Sequence, residues 1–79
     1  MNLTLYHFEG CPYCQRVRDF MTQNKITIPL IDVHQNLIYQ DELIQMGGKK
    51  QVPCLVIDGK PLYESANIIN WLKKKLEKI

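Results

Sequence analysis

Apolar and polar positions alternate at the start of the chain. Leu3 and Leu5 interleave with Thr4 and Tyr6 in a stretch, residues 3–8, that is rich in β-branched, aromatic and leucine side chains. This pattern predicts a first strand. Gly10 and Pro12 interrupt it, and proline is tolerated in a first helical turn, so a helix is predicted from Pro12 or Tyr13. Tyr13, Val17, Phe20 and Met21 then recur at helical spacing up to Asn24. Residues 26–33 read as a second strand. Pro29 removes a ladder donor there and points to an edge position or an irregular start. A second helix is predicted over 37–46, with Asn36 as its N-cap and Gly47-Gly48 as its stop. Tyr39, Leu43 and Met46 lie on its one face. Residues 53–57 form a third predicted strand. Asp58-Gly59 is a two-residue hairpin signal that leads to a fourth at 61–63. Ser65 is placed to cap a last helix whose Ile68, Ile69, Leu72 and Leu76 fall at helical spacing, with Trp71 beside them.

The order is β-α-β-α-β-β-α. A β-α-β start calls for a parallel strand pair, and the Asp58-Gly59 turn calls for an antiparallel one. The expectation is an α/β domain with a four-stranded mixed sheet flanked by three helices. With 79 residues there is room for one domain, spanning 1–79.

Composition narrows the function classes. Hydrophobic residues at 46% and charged residues at 23% fit a globular chain and argue against disorder. A net charge of +2 is too small for the basic face that nucleic-acid binding requires. Lys73, Lys74, Lys75 and Lys78 cluster where a final helix favours cations at its C-terminus. No apolar run approaches the ~20 residues of a membrane span. The first residues show neither a basic start nor an apolar signal segment, so the expected compartment is the cytoplasm. Three cysteines suit a reducing compartment better than a disulfide scaffold.

Two of those cysteines carry the candidate chemistry. Cys11 and Cys14 are three residues apart at the mouth of the first predicted helix. That spacing brings side chains within roughly 5–6 Å, close enough for a disulfide to open and close without rebuilding the fold. Cys11, just ahead of the helix, faces its free N–H groups and the positive end of its dipole, which favour a thiolate nucleophile. Arg16 and Arg18 add positive charge nearby. Cys14 lies deeper in the helix and is the better resolving thiol. A zinc site remains an alternative, although only Cys54, His7 and His34 are left as further ligands, without paired spacing. An iron–sulfur role is another alternative. Cys54 reads as a small buried hydrophobe.

Cys11-Pro12-Tyr13-Cys14 after a first strand, Val52-Pro53 before the third and the Asp58-Gly59 hairpin together resemble the glutaredoxin family, over essentially the whole chain. The resemblance implies a thioredoxin-like fold and glutathione-dependent thiol–disulfide exchange with Cys11 and Cys14 as the catalytic pair. It implies a cis peptide bond before Pro53, a Val52 backbone that pairs with glutathione, and a Tyr13 that covers it. Glu64-Ser65 is similar to the Glu-Ser motif of the N-terminal domain of glutathione transferases, where the serine at a helix start binds the γ-glutamyl carboxylate. The implied glutathione-binding residues are therefore Tyr13, Val52, Pro53, Glu64 and Ser65, with no metal.

The sequence departs from the family at Phe8, where many glutaredoxins have a lysine that meets a carboxylate of glutathione. Lys49 or Lys50 is a candidate replacement, and His7 reads as a surface histidine pointing to the opposite face. The expected partners are glutathione and disulfide-bearing or glutathionylated proteins, with no nucleic acid and no membrane, and the chain is expected to act as a monomer. Phe8 keeps open an electron donor reduced by a thioredoxin-type reductase. A non-catalytic glutathione or iron–sulfur cluster binding module is the other competing class. A glutathione transferase is disfavoured, because the chain stops where a helical second domain should begin.

Overall fold

The first strand, β1, covers Leu3–His7, and the helix after it, α1, covers Pro12–Gln23. The computed structural model describes residues 2–77. Next come β2 (Leu30–Asp32), α2 (Leu37–Gly47), β3 (Cys54–Ile57), β4 (Lys60–Tyr63) and α3 (Ser65–Glu77). The sheet order is β2-β1-β3-β4, with β1 parallel to β2 and the β1–β3 and β3–β4 pairs antiparallel. This is the mixed sheet that the element order implied.

The two central strands are covered on both faces, so their successive residues serve different cores. Leu5 and Leu55 pack with Val17 and Met21 of α1 and with Ile68 and Leu72 of α3. Their neighbours Tyr6, Cys54 and Val56 pack with Val33 and Leu43 of α2 on the other side. Trp71 belongs to the first cluster and Tyr39 to the second, both as partly buried packing residues.

Local chemistry sets most element ends. Asp58 and Gly59 both have positive φ, at 49° and 84°, as a type I′ hairpin turn requires. Gly48 takes the left-handed conformation after α2 and donates its N–H to the Ile44 carbonyl at 2.7 Å. Asn36 caps the start of α2 by accepting from the Ile38 N–H. Lys74 and Lys75 sit in the last turn of α3, as expected for cations, while Lys78 lies outside the described residues.

Three expectations are corrected. The second strand is three residues long rather than eight. Residues before Leu30 follow an irregular path, in which the Pro29 carbonyl accepts from the Leu5 N–H at 2.9 Å while Pro29 itself has no N–H to give. Ser65 is the first residue of α3 rather than its cap; the first helical bond runs from the Ile68 N–H to the Glu64 carbonyl, which makes Glu64 the capping residue. His7 is buried, not at the surface, because β1 is interior to the sheet and α1 covers its end. No helix among the described residues is long and apolar enough to cross a membrane.

Candidate functional site

The redox pair sits where β1 gives way to α1. Cys11 is the N-cap of that helix, with extended backbone (φ −82°, ψ 114°), and Pro12 opens the first turn. The Cys14 N–H donates to the Cys11 Sγ at 3.3 Å, so the sulfur itself fills the role a serine or aspartate oxygen commonly has at a helix start. Both thiols are free and buried, Cys11 at 6% exposure and Cys14 at 0%.

Cys14 is set firmly toward its protonated form. Burial, and then the hydrogen bond with Cys11, push the Cys14 thiol up to about 12, against smaller opposing effects of the Phe8 N–H and of Arg18. Cys14 therefore keeps its proton while Cys11 is free, which suits a resolving thiol rather than a first nucleophile. Burial also pushes Cys54 up, to about 11. Cys54 is fully buried on β3 opposite Tyr6 and Tyr63, as a small core residue.

Beside the pair lies a groove of about 330 Å³ lined by Tyr13, Gln51, Val52, Pro53, Glu64 and Ser65. All five residues singled out for a tripeptide ligand thus line one cavity. They arrive from three places: the first turn of α1, the loop ahead of β3, and the β4–α3 junction. The Val52–Pro53 peptide bond is cis, as the motif implied. Tyr13 is 60% exposed; it turns away from the core that Val17 and Met21 enter and stands at the rim.

Gln51 is the lining residue that sequence reasoning missed. Its Nε2 donates to the Glu64 carboxylate at 2.7 Å, which ties the loop to the start of α3. No periodicity or motif strength marked it; only its place directly before Val52-Pro53 could have done so. Glu64 has φ 72°, a left-handed conformation that is unfavourable for a non-glycine residue.

Phe8 and the lysines also find definite places. The Phe8 carbonyl accepts from the Cys11 N–H at 3.4 Å, and the Phe8 ring stacks on His34 with centroids 4.1 Å apart and planes at 16°. An aromatic pair thus stands where a cation was looked for, and neither of its residues is among those lining the groove. The Lys49 ammonium sits over the Tyr63 ring, 4.2 Å from its centroid, and is not among the groove's lining residues. Lys50 is exposed and does not line it either. Among the described residues no three or more His, Cys, Asp or Glu side chains gather as a metal-binding group.

Comparison with known proteins places this geometry. The glutaredoxin family model matches residues 3–62, which contain the cysteine pair, the cis-proline loop and the hairpin. Glutaredoxin 3 of Escherichia coli (strain K12) is 27% identical over 59 residues, covering 75% of this chain and 71% of that protein. Prostaglandin E synthase 2 of Danio rerio is 32% identical over 74 residues, covering 92% of this chain. The chain spans only 19% of that synthase. Among solved structures, a diazinon-metabolizing glutathione S-transferase of Bombyx mori superposes with a TM-score of 0.75 at 25% identity, over 95% of this chain and 38% of its own. The fold is thioredoxin-like and is shared with solved glutaredoxins and thioredoxin-like proteins. A family match across most of the chain, on this fold and around a capping Cys-Pro-Tyr-Cys pair, means that the protein belongs to the glutaredoxin family.

Proposed function

We propose that this protein is a glutathione-dependent thiol–disulfide oxidoreductase. The observation that carries the reading is the groove lined by Tyr13, Gln51, Val52, Pro53, Glu64 and Ser65 beside the Cys11 cap. Family membership supports exchange chemistry, and the groove supplies the groups that a γ-glutamyl tripeptide needs. The start of α3 at Ser65, largely buried but lining the groove, offers N–H groups to a carboxylate. The Glu64 carboxylate suits the ligand's ammonium, and the Val52 backbone suits its peptide unit. A ring at the rim, Tyr13, covers one side.

In the reaction, the Cys11 thiolate attacks one sulfur of a mixed disulfide. A Cys11–sulfur bond forms, the substrate's S–S bond breaks, and the released thiolate takes up a proton. When glutathione is left on Cys11, a second glutathione thiolate attacks its sulfur, frees Cys11 and departs as oxidised glutathione. With a protein disulfide, Cys14 attacks Cys11 instead, and the two thiols end as a disulfide. The substrate gains the two electrons that the dithiol loses. The buried proton on Cys14 supports this ordering. The proposed compartment is the reducing cytoplasm, in line with three free thiols.

The test compares single variants in a glutathione mixed-disulfide assay. Cys11→Ser should abolish turnover, and Cys14→Ser should retain it. The opposite pattern would sink the assignment. Running the parent with glutathione and separately with thioredoxin reductase decides the reductant; turnover with the reductase alone would overturn the glutathione reading.

A further inference from the structure

Arg18 stands one helical turn after Cys14 on α1, so the two side chains share a face. Helical side chains lean toward the N-terminus, which carries the Arg18 guanidinium back over the turn that holds Cys14. Its partners confirm the direction. One terminal nitrogen pairs with the Glu9 carboxylate at 3.2 Å, in the loop before Cys11. The other donates to the Gln15 Oε1 at 2.7 Å, the residue next to Cys14. Its Nε is buried without a hydrogen-bond partner, and the side chain is only 14% exposed. An arginine so nearly buried and so firmly held is unusual on a surface helix.

We propose that Arg18 is the positioning residue that makes Cys14 competent to attack the mixed disulfide on Cys11, and that it thereby sets the share of turnover taking the two-thiol route. This inference rests on the exchange reaction proposed above.

Cys14 has the Cys11 sulfur beside its N–H and Arg18 one helical turn further on; the Phe8 N–H and, more weakly, the Arg18 charge favour its thiolate. Burial and the Cys11 sulfur hold the proton on Cys14 in the free enzyme. Once Cys11 is joined to a substrate sulfur it carries no charge, and its hold on that proton ends. What remains against burial is the Phe8 N–H, which every variant keeps, and the cation of Arg18. The step then runs as follows. Cys14 loses its proton, its thiolate attacks the Cys11 Sγ, the Cys11–substrate S–S bond breaks, and the substrate thiolate leaves and is protonated. The enzyme dithiol is oxidised by two electrons and the substrate disulfide is reduced. Glutathione, as two thiols oxidised to one disulfide, restores the enzyme.

The experiment uses the full chain with Arg18→Lys, Arg18→Met and Arg18→Gln. Methionine keeps much of the apolar stem, so that at least one uncharged variant folds. Each is assayed with a glutathione–peptide mixed disulfide, which needs only Cys11, and with insulin disulfides, which need Cys14. The ratio of insulin to mixed-disulfide turnover should fall about tenfold in the uncharged variants, the effect of about one unit on Cys14 ionisation. Arg18→Lys should restore most of the ratio. In a Cys11→Ser background, the pH midpoint for alkylation of Cys14, mapped by peptide mass, should rise by about one unit without the charge. Equal losses in both assays, or an unmoved alkylation profile, would overturn the inference and leave Arg18 a structural residue. Failure of the parent in the mixed-disulfide assay would instead strike the underlying function.

Discussion

Glu64 combines an unfavourable backbone conformation with a place in the groove, and that pairing sets up a separable test. At φ 72° a side chain crowds the following carbonyl, which costs an L-residue roughly 1–2 kcal/mol and costs glycine nothing. Glu64→Ala and Glu64→Gly both lose the carboxylate and the 2.7 Å bond from Gln51, and differ only at Cβ. Glycine's greater freedom in the unfolded chain takes back about 0.4–1 kcal/mol. The glycine variant should therefore be more stable than the alanine variant by up to about 1.6 kcal/mol, and by about 0.8 kcal/mol at the middle of both ranges. In a domain of this size each kcal/mol moves Tm by roughly 4–8 °C, well within reach of a thermal melt. For function the two should be alike. A charge-assisted contact to the ligand's ammonium contributes about 1.5–3 kcal/mol when well formed and less when water reaches it. Losing about 1–2 kcal/mol raises the glutathione concentration for half-maximal turnover by roughly five- to thirtyfold. The strain then persists because the carboxylate is needed where the backbone does not favour it. An alanine variant more stable than the glycine variant would refute the strain argument. Unchanged glutathione dependence in both would remove Glu64 from the ligand site.

Three further outcomes can be checked with standard assays. A Cβ at Gly47 would overlap the Tyr63 hydroxyl and come within 2.9 Å of its Cζ, so Gly47→Ala should destabilise the fold by about 1–3 kcal/mol less the ~1 kcal/mol helix-propensity gain. Tyr63→Phe, which removes a buried hydroxyl without a partner, should recover part of that loss in a double-mutant cycle, and strict additivity would refute the contact. Burial, and then the Arg18 cation, lower the His7 pKa from the usual 6.5, so the unfolded chain binds the proton more readily than the folded one. The associated stability is complete above about pH 6.5 and is lost as pH falls through the lower folded value; urea unfolding between pH 7 and 5 should show this fall, and His7→Gln should flatten it. Phe8→Lys replaces an aromatic stack on His34 with a cation three residues before Cys11 and should lower the glutathione concentration for half-maximal turnover, while an unchanged value would show that the aromatic pair has no bearing on glutathione use.

What the sequence by itself determined is what depends on near neighbours along the chain. Cys11 as a cap ahead of Pro12, the Asp58-Gly59 turn and the Gly48 stop each follow from dihedral preferences and from side chains three or four residues apart. The same range of interaction placed Cys11 and Cys14 together, and the motifs around Val52-Pro53 and Glu64-Ser65 marked the lining of one groove. Tertiary structure decided the rest, because those features depend on which distant segment arrives. Strand β2 is short because only Leu30–Asp32 run beside β1, a matter of how the chain returns from α1. His7 is buried because its strand is interior and α1 lies over it, although its local pattern suited the surface. Gln51 enters the groove through a bond to a residue thirteen positions away. Arg18 gains its role from a carboxylate in the loop before Cys11 and from a depth of burial that no helical period encodes. Charge in the sequence marked Arg18 as a cation near the pair; packing around α1 decided that its guanidinium is held between Glu9 and Gln15.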